Sequence, residues 1–197
     1  MKKVLLSILL VGAATLANAQ KSEVADAKKE WGMFQLMSSG KQPLDKTLAS
    51  LNSGLAHTDK AIVHEKSKDM PEAWSYRALF ASSIAVTDTV NLENSIAKQK
   101  IAEEAVAKAK TLDTKGGEKE NISTAELNIN NAIKVRAFTA YNKQDFATAL
   151  KYFTEATEKN PSDTAMYLNA GIMAKNVKNF KIDPFGYDYF DQVELEQ

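Results

Sequence analysis

The sequence predicts an all-α protein of about seven helices, paired antiparallel and stacked. Three observations carry this. From residue 22 to about 177 the apolar residues recur at the three-and-four spacing of a helix, and no stretch alternates as a half-buried strand would. The 8 glycines and 4 prolines fall mostly where helices would end, at Gly40, Pro43, Pro71, Gly116, Gly117 and Pro161. Short helices with one apolar side cannot bury it alone and must pair.

The first helix is expected near 22–38, ending at Ser38-Ser39-Gly40. The second, near 43–67, places Pro43 in its first turn, where a missing N–H does no harm. The third opens at "PEAWSYRALFASSIAV", and the fourth, about 92–112, sets Ala102, Ala105, Val106, Ala109 and Leu112 along one side. "DTKGGEKEN" is the clearest loop. The fifth helix is expected to start at "STAE", with Ser123 as cap and Glu126 reaching back to it, and to end at "NKQD". The sixth buries Phe146, Ala149, Leu150, Phe153 and Ala156 and stops at Asn160-Pro161. The seventh follows, capped by Ser162, with Tyr167, Gly171 and Ala174 on one face.

Ahead of this array stands "MKKVLLSILLVGAATLANAQ", with two lysines, an apolar run and the small-residue triplet Ala17-Asn18-Ala19. That pattern predicts a secretory signal peptide over residues 1–19 and no membrane segment after its cleavage. The mature chain would then be periplasmic, associated with the outer membrane, or secreted. The 25 basic residues balance the 25 acidic ones, and cleavage removes only Lys2 and Lys3. A near-neutral chain offers no basic face for nucleic acid and no polybasic patch for a membrane surface. With no cysteine, the exported domain must be held by core packing rather than disulfides.

The pattern repeats: Ala149, Phe153 and Ala156 of the sixth helix align with Ala102, Val106 and Ala109 of the fourth. "AYNKQDFATALKYFTEATEKNP" (140–161) resembles the second half of a tetratricopeptide (TPR) repeat, a 34-residue helix-turn-helix unit. A unit over 130–163 would place Ala137 as the small residue of its first helix, Phe146 as the turn aromatic and Pro161 at its close. The next would begin at Thr164, with Tyr167 at the family's tryptophan position, Gly171 at its glycine and Phe180 as the turn aromatic. Trp74 and Ala78 fit the start of a more degenerate unit whose end, "AKAKTLDT", lies twelve residues too far along, so an insertion is expected in "TDTVNLENS". The resemblance implies a TPR-like α-solenoid: degenerate hairpins over 20–115, repeats over 116–180, and a segment 181–197 that is either a capping helix begun by Asp183-Pro184, with Tyr189, Phe190 and Val193 as its stripe, or a linker or docking peptide.

Chemistry is sparsely provided for. His57 and His64 lie on one face but about 10 Å apart along a helix, too far for one metal ion. Adjacent Glu103 and Glu104 point to different sides, and Gly116-Gly117 lacks the GK[ST] of a phosphate loop. The expectation is a non-enzyme with no cofactor and no metal. Asn121-Ile122-Ser123 forms an N-glycosylation triplet, set aside because Ser123 is assigned to the cap; Thr89 and Thr164 stand in aspartate-threonine-aliphatic triplets that some bacteria O-glycosylate.

The resemblance places the family's concave surface at Asn131, Lys134, Phe138, Tyr141 and Asn142 in one unit, and at Leu168, Asn169, Ile172, Lys175 and Asn176 in the next. Tyr76 and Leu79 fall on equivalent positions near Trp74. Such a surface suits an extended peptide or a partner protein, in an envelope complex. Two other readings stand beside it: Phe138 and Tyr141 pack against the sixth helix, or exposed tyrosines, Tyr76 and Tyr141 above all, stack on a glycan.

Overall fold

The computed structural model describes residues 23–38, 40, 42–177, 181–182 and 188–189. The body is all-helical. Helix α1 covers residues 23–38, followed by α2 (Leu44–Ala61), α3 (Pro71–Thr87), α4 (Leu92–Leu112), α5 (Lys119–Asn142), α6 (Phe146–Lys159) and α7 (Thr164–Asn176). Two strands of two residues come last, β1 (Lys181–Ile182) and β2 (Asp188–Tyr189), antiparallel with Lys181 opposite Tyr189. The chain divides into residues 1–129 and 130–197, the boundary falling within α5. The expected signal peptide lies outside the described residues.

In the first unit α3 is the centre. Pro71 sits in its first turn, and every residue from Ala78 to Ala85 is buried. Helices α2 and α4 pack against it. Trp31 of α1 meets the Phe80 ring edge-on, with centroids 5.4 Å apart. The approach of α2 depends on Gly54: a Cβ there would lie 2.1 Å from a Phe80 ring carbon. Ala102, Ala105 and Ala109 of α4 are fully buried, as their spacing predicts. Small residues on α2 and α4 thus let two helices close on the bulky side chains of a third.

A polar seam runs along the remaining side of α3. Asn128 donates to Ser82 and Ser83 at 3.4 and 3.2 Å, and seven residues earlier Asn121 donates to Ser75 at 3.4 Å and Glu118 at 2.8 Å. Ser75 also donates to Glu118. Seven residues is two helical turns, so the two asparagines face α3 at successive levels. On α1, burial pushes the Glu23 carboxyl up, but His57 and Lys60 of α2 outweigh it and hold it below its ordinary value.

Several boundaries differ from the sequence expectation, each for a local reason. Helix α2 stops at Ala61, not 67, because the Ser67 hydroxyl turns back to the Ala61 carbonyl at 2.7 Å. There is no inserted turn between α3 and α4. The link is residues 88–91, where the Asp88 carboxylate accepts from the Asn91 N–H and the Asn94 amide. The surplus length lies in the helices, which at 17 and 21 residues already outrun a 34-residue repeat.

Helix α5 begins at Lys119, so Ser123 is no cap. The loop before it is closed by Asp113, whose carboxylate accepts from the Gly117 and Glu118 N–H groups, with Gly116 at φ +72°. Asp163, not Ser162, precedes α7; Ser162 donates to the Asn160 side chain at 2.7 Å. The expected capping helix fails at Asp188–Tyr189, where the backbone is paired strand. Phe190 and Val193 lie outside the described residues, as do Asp183, Pro184 and Phe180.

Candidate interaction face

The second unit is built on a tight turn. Gln144 adopts the left-handed region at φ 59°, and the Asp145 carboxylate caps α6 through the Thr148 N–H at 3.1 Å. Helix α6 buries Ala149, Leu150, Tyr152, Phe153 and Ala156, while Lys151, Glu158 and Lys159 face outward. Its apolar and polar sides are cleanly divided.

Helix α7 is built differently. Met166, Ala170, Met173 and Ala174 are buried, yet Tyr167, Leu168 and Ile172 on the remaining surface are 46%, 66% and 46% exposed. On α5, Phe138 and Tyr141 are 43% and 45% exposed. Phe138 packs one edge on Phe153, with centroids 5.1 Å apart, and Tyr141 tilts toward Phe146 at 6.3 Å. The rings are thus packed on α6 and exposed at the same time. Each braces α6 and still presents about half of its side chain outward.

Lys134 of α5 pairs with Asp163 at the start of α7, and this contact holds the Asp163 carboxyl below its ordinary range. The pair sets the register. Helices α5 and α7 each run opposite to α6, so they run in the same direction, and one turn beyond the ion pair stand Phe138 on one and Leu168 on the other. One further turn brings Tyr141 and Asn142 level with Ile172. By this reckoning the exposed Phe138 and Tyr141 of α5 stand at the levels of the exposed Leu168 and Ile172 of α7, with the exposed lysines Lys143 and Lys175 toward the far end.

The other expected site residues distribute as follows. Asn131 and Asn169 are half-buried; Asn142, Lys175 and Asn176 are exposed, and Asn176 donates to the Ile172 carbonyl of its own helix. Tyr76 does not belong with them. It lies in the first unit, 7% exposed, because α3 is covered on every side, and burial first of all pushes its phenol up. Leu79 is 1% exposed for the same reason. Tyr167, placed at the family's tryptophan position, is on the surface, and Met166 beside it is buried.

Among the described residues no three His, Cys, Asp or Glu side chains gather as a metal site, and no helix is long and apolar enough to cross a membrane. His57 is bonded to Glu23, while His64 accepts from the Lys66 N–H. Asn121 of the glycosylation triplet is engaged in the seam against α3, whereas Thr89 and Thr164 are exposed. No family model, no curated protein and no solved structure matches the chain.

Proposed function

We propose that this protein is an exported, non-enzymatic interaction module of tetratricopeptide-like helix pairs that holds an extended peptide, or such a segment of a partner protein, on the band formed by α5 and α7. The observation that carries the reading is α7 itself, apolar on both sides, with Leu168 and Ile172 turned outward beside Phe138 and Tyr141. Exposed apolar side chains scattered singly need no explanation, but a contiguous band rimmed by polar groups is a property of interaction surfaces. Asn142 and Asn169 on the same band supply amide groups suited to a peptide backbone. The buried Ala137, Ala149, Phe153 and Ala156 support the repeat-like reading of the α5–α6 pair.

The test is a screen of an extended-peptide library on the full chain against its Leu168→Asp, Ile172→Asp variant. Peptides retained by the first and released by the second, with helical circular dichroism unchanged, support the reading. Equal retention removes the band from consideration. Glycan binding is the second reading and rests now on Tyr141 and Tyr167, Tyr76 being buried; an oligosaccharide array decides it. Export is checked by N-terminal sequencing of the protein from the envelope, which should begin at Gln20.

A further inference from the structure

We infer that one end of the first unit dips into a lipid surface through exposed aliphatic side chains that two helix connections bring together. The contacts inside the unit fix which connections share that end. Gly54 and Asp59 of α2 meet Phe80 and Arg77 of α3 in turn, so these helices are antiparallel. Glu23 at the start of α1 bonds to His57 and Lys60 late in α2, and Trp31 reaches Phe80, so α1 runs alongside α3 in the same direction. From the level of Phe80, Met37 on α1, Leu44 on α2 and Thr87 on α3 all lie about 10–15 Å toward one end. There stand Met33, Leu36 and Met37 of α1, Leu44 of α2, Val90 of the α3–α4 link and Leu92 of α4, all exposed, Leu36 by 79% and Val90 by 81%. By contrast, the exposed Val63 follows α2 at the opposite end, and the exposed Leu127 lies along α5.

Charge selects the occupant. Residues 31–38, WGMFQLMS, carry no charge in a chain of which 25% of residues are charged. The one acid of the α3–α4 link, Asp88, is turned inward, 6% exposed and held by the Asn91 N–H and the Asn94 amide. The exposed charges described at this end, Asp45, Lys46 and Glu93, nearly balance, so a charged partner finds no complement here. Area points the same way. Six partly exposed side chains, divided between two connections, offer less than the about 800 Å² that each side of a stable dimer buries. A fluid bilayer needs no shape complementarity and takes separate apolar side chains at the depth of its headgroup boundary. The insertion is shallow, because among the described residues no helix is long and apolar enough to cross. This end shares no residue with the α5–α7 band.

Because the chain contains no cysteine, one introduced cysteine carries an environment-sensitive fluorophore without background. In the full chain, labels at Leu36→Cys and Val90→Cys should shift to the blue on addition of phosphatidylcholine vesicles and be quenched by brominated lipid. A label at Val63→Cys, exposed at the opposite end of α2, should not respond. A leader left on the chain would anchor it elsewhere, so the reading at each label stays local. The response at Leu36→Cys should survive high salt, and in a Val90→Asp background it should need about tenfold more lipid, with helical circular dichroism unchanged. Labels at Leu36 and Val90 that respond no more than the one at Val63 overturn the inference, as does a response abolished by salt. A shift that grows with protein concentration in the absence of lipid overturns it in favour of a second copy.

Discussion

Helices α3 and α7 have the same kind of sequence and opposite surroundings. Both carry apolar side chains on more than one side, without the single polar flank that marks α6. In α3, Leu79 is 1% exposed; in α7, Leu168 is 66% exposed. A helix apolar all round belongs inside a core. For α3 the core is supplied: Trp31, Gly54, the α4 alanines and the asparagines of α5 close on it from successive directions. For α7 the structure supplies α6 and the tie to Lys134, and a strip of aliphatic surface is left over. The proposed function rests on this difference, because exposed apolar surface is suited to association.

The comparison breaks most directly through Phe80. Phe80→Ala removes a fully buried ring held between Gly54 and Trp31, and should destabilise the protein by about 3–5 kcal/mol in urea unfolding. Ile172→Ala, on the open side of α7, should cost under about 1 kcal/mol. Equal costs would mean that α7 is as enclosed as α3. A smaller effect comes from the other side of the same contact. Gly54→Ala drives a methyl into the Phe80 ring and should cost about 1–3 kcal/mol. In a Phe80→Leu background that cost should shrink, because the obstructing ring carbons are gone, and a double-mutant cycle measures the coupling.

Helix positions were legible in the sequence wherever one side is apolar and the other polar. The α4 and α6 stripes are buried as their spacing implies, except at their ends, where Leu112 and Phe146 are half-buried. The helices apolar on more than one side were not legible in the same way. The TPR-like register turned Tyr76 outward, and it is buried, because α3 carries apolar side chains on more than one side and its neighbours decide which are covered. Caps failed where several candidates stood close together. Ser123 and Ser162 carry suitable hydroxyls, but Asp113 and Asp163 lie at the points where the chain turns. The band on α5 and α7 was half legible: Phe138, Tyr141, Leu168 and Ile172 were placed together by resemblance, while their coexistence with packing on α6 depends on ring size and tilt.

The tie between α5 and α7 sharpens the comparison through pH. Lys134 depresses the Asp163 pKa in the folded state. The stability this adds is complete above the ordinary carboxylate value of about 3.9 and is lost as pH falls through the depressed folded value. Lys134→Met should therefore make unfolding midpoints less sensitive to pH below about 4, by about 1 kcal/mol or less for a partly exposed pair. No such change would mean that the pair does not hold the start of α7.

The smallest expected effect carries the largest functional consequence. Leu168→Asp places a charge on a side chain that is mostly in water, so the unfolding free energy should move by under about 1 kcal/mol. Peptide binding should fall by about tenfold or more, since the same carboxylate would be desolvated beneath any bound apolar residue. Leu79→Asp should do the reverse and prevent folding before binding can be measured, because the charge enters a core with no partner for it. One residue type on two helices of similar composition would then separate the surface that makes the fold from the surface that the fold presents.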